Sequence, residues 1–172
     1  MCCLTIRPTI VVGVPTDHHL DRRTPWLTDD EMRAWRNYMD GSQRLMDRLN
    51  RDLQAKHDMT LADYRILVLL SESPDGASRM SDLADGILSS RSRLTHQIRR
   101  MEEQGMVTRD SCVEDGRGVR AVITDEGLRR LAEAAPMHVR EVRANLVDIV
   151  TKHQLKVLGD VFERVNRTIE SR

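Results

Sequence analysis

Residues 80–124 contain two short helical patterns followed directly by a hairpin signal, and this order restricts the fold more than any other feature. Apolar residues from Met80 to Ile87 recur at helical spacing. A second helix is predicted to begin after its N-cap, Ser90, and to end at a C-cap, Gly105. The β-prone runs VTRDSCV and VRAVIT are then separated by EDGRG, in which Asp-Gly signals a hairpin. The pattern predicts a helix-turn-helix with a β-hairpin attached.

Positive charge is concentrated on the second of these helices. The chain has 27 basic and 27 acidic residues, yet four arginines and one histidine stand between Ser89 and the next acid, Glu102. Sequence-independent affinity for nucleic acid comes mainly from Lys and Arg placed near phosphates. This helix is therefore predicted to face an anionic partner.

A helical projection of residues 90–103 separates an apolar side from a polar side. Leu94, Ile98 and Met101 cluster on the apolar side and are predicted to face the core. The opposite side carries only cationic or hydrogen-bonding groups, namely Ser92, Arg93, His96, Arg99 and Arg100. Arg can bind guanine through two hydrogen bonds, and Gln97, nearer the core edge, can bind adenine if it reaches the base. An ordinary solvated helix face is the alternative interpretation.

Arg117 lies at the predicted hairpin tip, in the sequence Asp-Gly-Arg-Gly. It is a candidate minor-groove contact, because a narrow minor groove attracts Arg. The alternative is that Arg117 only pairs with Asp115, and both can hold because Asp115 can orient the guanidinium. The predicted DNA-binding residues are Ser90, Arg91, Ser92, Arg93, Thr95, His96, Gln97, Arg99, Arg100, Asp115 and Arg117.

Amphipathic helices flank this block on both sides. Capping boxes at Thr28 and Thr60 open a long helix that ends near His57 and a second, largely apolar helix. Thr124 caps a helical pattern that extends to Ile149, interrupted by Pro136, which is expected to kink or break it. A capping box formed by Thr151 and Gln154 then opens the last helix.

The first and last helices carry apolar stripes longer than the central block can cover. Such stripes usually mark an interface, and a symmetric homodimer is the commonest solution. The predicted fold is mainly α with a small β-hairpin wing, a winged helix-turn-helix domain plus N- and C-terminal dimerisation helices. The predicted domains are a weakly ordered arm (1–26), a dimerisation helix (27–58), the DNA-binding domain (59–123) and C-terminal dimerisation helices (124–172).

From Leu27 to Ile169 the chain resembles the MarR family of winged helix-turn-helix transcriptional regulators. The motifs that carry the resemblance are RMSDLADGI, LSSRSRLTHQIRRMEEQGMVTRD and EDGRGVRAVITDEG. In the last motif an Asp-x-Arg-Gly tip precedes a strand that ends in Thr124 and a long helix. The resemblance implies an obligate homodimer, joined by the first and last helices, that reads a pseudo-palindromic operator in double-stranded DNA. It also implies a cleft for small phenolic or other aromatic effectors. The arm of about 25 residues departs from the family pattern.

Other residues are weaker candidates for a site. Trp26 and Trp35 are candidate effector-binding residues, with dimer core as the alternative. His138 and Glu141, which share a helix face, are predicted to be solvated. The metal-capable Asp17, His18, His19 and Asp21 are predicted to lie on no regular element, and redox sensing by Cys2, Cys3 or Cys112 is a minor alternative.

The sequence holds no Gly-rich phosphate loop and no nucleophile elbow, so neither catalysis nor a cofactor is predicted. Its three cysteines fit a reducing cytoplasm, and no apolar stretch is long enough to span a membrane. The sequence predicts a cytoplasmic, dimeric transcriptional repressor that a small effector releases from DNA. The rival is a winged-helix interaction or small-molecule-binding module without DNA binding.

Overall fold

The computed structural model describes residues 25–111 and 119–171, and these residues divide into two compact units between Tyr38 and Met39. Within the described residues, the helices are α1 (Asp29–His57), α2 (Leu61–Glu72), α3 (Met80–Gly86), α4 (Arg91–Glu103), α5 (Asp125–Asn145) and α6 (Lys152–Glu170). The strands are β1 (Ala77–Arg79), β2 (Val107–Ser111) and β3 (Val119–Ile123). The predicted class, mainly α with a small β-hairpin wing, is confirmed.

The described part of the first unit contains the start of α1. The Thr28 N–H donates to Glu31 Oε2 at 2.7 Å, and the Glu31 N–H donates to Thr28 Oγ1 at 3.3 Å, so the predicted capping box is formed. The rings of Trp35 and Tyr38 lie 5.7 Å apart. Trp26 is 69% exposed and Trp35 is 52% exposed.

The core of the second unit is built around α2. Its segment Ile66–Leu70 is wholly apolar, and Ile66, Leu67 and Leu70 are fully buried. Burial of whole side chains of this size supplies most of the driving force for folding. Helices α4 and α5 and the sheet contribute the buried residues Leu94, Ile98, Met101, Ala121, Ala134 and Met137.

The sheet is antiparallel and has β3 in its centre, in the order β1-β3-β2. Residue pairs run from Val107 opposite Ile123 to Ser111 opposite Val119, which confirms the predicted hairpin. Strand β1 was not predicted, because its three residues are too few to show an alternating pattern. Its Ala77 pairs with Val122 of β3, so a tertiary contact makes this segment a strand.

The first turn of α5 packs closely against the segment that connects α4 to β2. A Cβ on Gly127 would lie 2.2 Å from the carbonyl oxygen of Met106, a distance that side-chain carbons do not adopt. The hydroxyl of Thr124 accepts from the Gly127 N–H at 3.0 Å and donates to the Gly105 carbonyl at 2.6 Å. Gly127 is therefore required by close packing.

Helix α5 continues through Pro136, so of the expected kink or break the break is wrong, and the kink stays a prediction. Proline removes one backbone donor, and the burial of Ala134 and Met137 on either side holds the helix together. The helix ends at Asn145, and a short 3-10 turn follows over Val147–Ile149, so the predicted pattern was one turn too long.

Helix α6 starts at the predicted capping box: the Thr151 N–H donates to Gln154 Oε1 at 2.9 Å, and the Gln154 N–H donates to Thr151 Oγ1 at 3.2 Å. No residue of α6 is buried. None of the helices in the described residues is both long and apolar enough to cross a membrane.

Candidate nucleic-acid interface

Helices α3 and α4 form the helix-turn-helix, and Leu88 makes the turn between them. This residue has a φ of 54° and its side chain is 86% exposed. The Ser89 N–H donates to the carbonyl of Ala84 at 3.0 Å, which closes the end of α3. Gly86 is the last residue of α3, so the left-handed position in the turn is held by a leucine and not by a glycine.

Helix α4 is capped at both ends. The Arg93 N–H donates to Ser90 Oγ at 3.3 Å, which confirms Ser90 as the N-cap. At the other end the C-cap is Gln104, and Gly105 is the next residue, with a φ of 72°. The Met106 N–H donates back to the helix at 2.9 Å, a glycine-terminated ending. Gly105 is thus the residue after the C-cap, and not the C-cap itself as predicted.

The two sides of α4 lie as the projection predicts. Leu94, Ile98 and Met101 are fully buried. The exposed residues are Arg91, Ser92, Arg93, Thr95, His96, Arg99 and Arg100, and Gln97 is partly buried. An exposed row of donors beside a buried apolar row is the arrangement that major-groove recognition by a helix requires.

The exposed basic residues differ in what they already bind. Arg99 Nε pairs with Glu103 Oε1 at 3.3 Å, within α4. Among the described residues, no hydrogen bond or ion pair engages the side chains of Arg91, Arg93 or His96. Donors on these three side chains are therefore available to a ligand.

A buried carboxylate, Asp63, connects the start of α2 to α4. It is 2% exposed and accepts from the Thr60 N–H at 2.9 Å and the Thr60 hydroxyl at 2.6 Å. Arg100 Nη2 donates to its two oxygens at 2.6 and 2.7 Å, and Gln97 Nε2 donates to Oδ1 at 3.1 Å. In the sequence, Asp63 is recognisable only as the third residue after Thr60 in the predicted capping box. Its partners lie 34 and 37 residues away, and no local pattern indicates such contacts.

The wing is attached to the end of α4 through Glu102. Arg109, on β2, donates from Nε to Glu102 Oε2 at 2.7 Å and from its backbone N–H to Oε1 at 3.2 Å. These hydrogen bonds lower the pKa of Glu102 below its ordinary value and raise that of Arg109. The end of α4 and the strand β2 are therefore held together by these hydrogen bonds at the base of the hairpin.

Several predicted residues lie outside the described residues. They include both wing-tip residues and the cysteine and metal candidates: Asp115, Arg117, Cys2, Cys3, Cys112, Asp17, His18, His19 and Asp21.

A cavity of about 410 Å³ lies among α1, α2 and α5. Its lining is mainly apolar and includes Leu45, Met46, Leu49, Leu61, Val68, Leu69 and Val142, with polar groups from Tyr64, Arg65 and His138. An apolar cavity with a few convergent polar groups is the usual form of a small-molecule site.

His138 is one of the polar residues that line this cavity. Its ring lies 4.4 Å from that of Tyr64, and its Nδ1 is buried with no hydrogen-bond partner among the described residues. Burial lowers the pKa of His138 and raises that of Tyr64. The expectation that His138 is solvated is wrong, because the residue faces the cavity at the α2–α5 contact. Its companion Glu141 lies 3.7 Å from Arg48 of α1.

The lining residues of this cavity all belong to the second unit. Trp26 and Trp35 belong to the first, and their roles in effector binding or dimerisation stay predictions.

The chain is similar to MarR family regulators both in sequence and in structure. A MarR family model matches residues 57–118. AbsC, a MarR family transcriptional regulator from Streptomyces coelicolor, is 40% identical with a TM-score of 0.82, and the alignment covers 87% of this chain and 100% of AbsC. Sco3205, a regulator of the same family and organism solved in complex with DNA, is also 40% identical with a TM-score of 0.82, over 84% of this chain and 94% of Sco3205.

A curated relative is more distant. The HTH-type transcriptional repressor YetL of Bacillus subtilis is 29% identical over 106 residues, which are 60% of this chain and 64% of YetL. The chain thus spans slightly less than two thirds of YetL. The near-complete match to AbsC extends beyond the helix-turn-helix to the flanking helices, so the whole architecture is shared. The chain belongs to the MarR family of transcriptional regulators.

Proposed function

We propose that the chain is a homodimeric, sequence-specific DNA-binding repressor that a small-molecule effector releases from its operator. The observation that carries this proposal is the two-sided structure of α4. One side is fully buried in the core, and the other presents Arg91, Arg93 and His96 with donors that no described residue occupies. Such a helix has a fixed orientation and an unsatisfied cationic surface, as recognition in the major groove requires.

The relatives support DNA as the ligand. Sco3205, which is 40% identical, was solved in complex with DNA, and YetL is named a transcriptional repressor. Since the duplex carries a phosphate charge about every 1.7 Å along its axis, a row of Arg side chains is well matched to it. The proposed contacts are Ser90, Arg91, Ser92, Arg93, Thr95, His96, Gln97, Arg99 and Arg100 of α4, with Asp115 and Arg117 of the wing.

The proposed dimer would cover the apolar face of α6. Val157, Val161, Val165 and Ile169 are each more than 40% exposed, at spacings of four residues along the helix. Contiguous apolar surface of this kind marks an interaction site. We assign residues 27–58 and 124–172 to dimerisation and residues 59–123 to DNA binding. Two-fold symmetry then places the half-sites about 10 bp apart.

The cavity beside Tyr64 and His138 is the proposed effector site. It is large enough for a small aromatic molecule, and its apolar lining favours one with few polar groups. An effector that binds better to a dimer with wrongly spaced recognition helices would shift the population away from the DNA-binding form. We assign binding and no catalysis to this protein, and a cytoplasmic location, where it would meet its DNA.

Selection from a pool of random duplexes with the full chain, followed by salt titration, tests the proposal. A pseudo-palindromic site should emerge, bound by two protomers in light scattering. Its affinity should fall by orders of magnitude between about 50 and 200 mM salt. Failure to enrich any sequence, together with an affinity that does not respond to salt, would instead identify an interaction module without DNA binding.

A further inference from the structure

We propose that Asp63 is a positioning residue for DNA recognition: it holds Arg100 in one orientation and so fixes the register of α4 on the operator. The inference rests on the proposed function. Asp63 itself is 2% exposed and contacts no DNA in this scheme, so it acts entirely through α4.

The geometry of the ion pair leaves part of Arg100 unoccupied. Both oxygens of Asp63 are bound by the same nitrogen, Nη2, at 2.6 and 2.7 Å. Among the described residues, nothing accepts from Nε or Nη1 of Arg100, and its side chain is 47% exposed. Asp63 therefore binds Nη2 of the guanidinium alone. Nε and Nη1, which lie in the same fixed plane, can donate to a phosphate.

Other contacts restrain Asp63 in turn. It is bound to Thr60 by two hydrogen bonds at the start of α2, and Gln97 donates to it from one turn before Arg100. Thr60 thus binds Oδ2 of the carboxylate and Gln97 binds Oδ1. An Arg side chain anchored in this way has lost most of its rotamer freedom before DNA arrives, so less entropy is lost on binding.

The Asp63–Arg100 pair should affect affinity for the operator more than affinity for other DNA. The Asp63–Arg100 pair has no net charge and therefore adds little to sequence-independent attraction. A guanidinium fixed in position makes its phosphate contact at only one register, and phosphate contacts set the orientation in which other residues read bases. Anchoring Arg100 should then favour the operator over other DNA, through the placement of Arg93 and His96.

The test compares Asp63→Asn with Glu103→Gln. Each variant removes one carboxylate that pairs with an arginine of α4, Arg100 in one case and Arg99 in the other, and each changes the net charge equally. Dissociation constants are measured for a duplex selected by the unmodified protein and for a scrambled duplex of equal length, at one salt concentration.

For Asp63→Asn we expect the operator affinity to fall at least about tenfold while affinity for scrambled DNA stays level or rises, because Arg100 keeps its charge and loses its anchor. For Glu103→Gln both affinities should shift together, leaving their ratio unchanged. A ratio unchanged in Asp63→Asn, or a parallel rise on both duplexes, overturns the inference.

Arg100→Lys provides a second variant in case Asp63→Asn does not fold. Lysine keeps the charge but lacks the planar fork, so the same loss of operator preference is expected, and an unchanged preference overturns the inference. Failure of the unmodified protein to select any sequence would refute the proposed function instead, so the two outcomes are distinguishable.

Discussion

Asp63 and Arg100 lie 37 residues apart in sequence, yet Arg100 Nη2 donates to both oxygens of the Asp63 carboxylate, at 2.6 and 2.7 Å. The carboxylate is buried and the guanidinium is half exposed. Because the same carboxylate also caps α2, its loss removes a cap and a charged hydrogen-bond network together.

Asp63→Ala is therefore expected to lower the free energy of unfolding by about 2–4 kcal/mol. Arg100→Ala should lower it by about 1–3 kcal/mol, since it leaves the carboxylate only its Thr60 and Gln97 donors. The loss of unfolding free energy in the double variant should be smaller than the sum of the two single losses by at least about 1 kcal/mol. Urea unfolding at one protein concentration measures all three, and strict additivity would contradict a direct interaction.

Arg93→Ala should relax base preference at one position of each half-site. Arg93 is exposed in the first turn of α4, the part of a recognition helix that reaches base edges. The expected cost is about 1–3 kcal/mol at that base pair. Arg99→Ala is the comparison. It should lower the affinity for all DNA sequences alike and make the affinity less dependent on salt concentration. Competition binding against single-base operator variants measures both, and an unchanged Arg93→Ala profile would remove Arg93 from the base-reading set.

Gly127→Ala should destabilise the protein by about 1–3 kcal/mol, because the added carbon would lie 2.2 Å from the Met106 carbonyl oxygen and must displace backbone. Gly41→Ala is the control, since a Cβ at this position of α1 meets nothing within 4 Å. It should leave stability unchanged or raise it by up to about 1 kcal/mol. Thermal unfolding of both variants checks the contrast, and equal effects would show that close packing is not the reason for Gly127.

Leu88→Gly should raise the free energy of unfolding by up to about 1 kcal/mol. The native φ of 54° is costly for leucine and not for glycine, and the highly exposed side chain loses little packing. The more flexible unfolded chain offsets part of the gain. Urea unfolding measures the change, and a clear loss of stability would mean that the Leu88 side chain packs in the assembled protein.

Stability should fall on acidification through the titration of His138. Burial lowers the folded-state pKa, so the unfolded chain binds the proton more readily and stability is lost as pH falls below the unfolded value of about 6.5. His138→Phe should flatten this dependence between pH about 5.5 and 7.5. Unfolding curves across that range measure it, with His153→Gln in exposed α6 as the control. A slope unaffected by His138→Phe would assign the dependence to other groups.

Local chemistry made much of the fold predictable. Thr28, Thr60, Ser90 and Thr151 each cap a helix as expected, because a cap depends on residues only three apart. The buried and exposed sides of α4 followed from helical periodicity alone. The hairpin followed from the Asp-Gly signal between two β-prone runs.

Features that depend on distant contacts were not predictable. Strand β1 exists because Ala77 meets Val122, and nothing in three residues indicates that pairing. Gln97 donates from its side-chain amide to Asp63, a contact that periodicity cannot reveal. His138 is drawn to Tyr64 by the packing of α5 on α2, where the sequence alone indicated a solvated position.

Strand β1 also limits how regulation can work. It leads directly into α3 and pairs along its length with β3, the returning strand of the wing, while Arg109 fastens the other wing strand to α4. Hydrogen bonds of the backbone and of Arg109 thus connect the three strands to α3 and α4. These connections would make it difficult for the proposed effector to move one of these elements relative to another. In the proposed dimer, control would therefore move the connected elements together and change the distance between those of the two protomers.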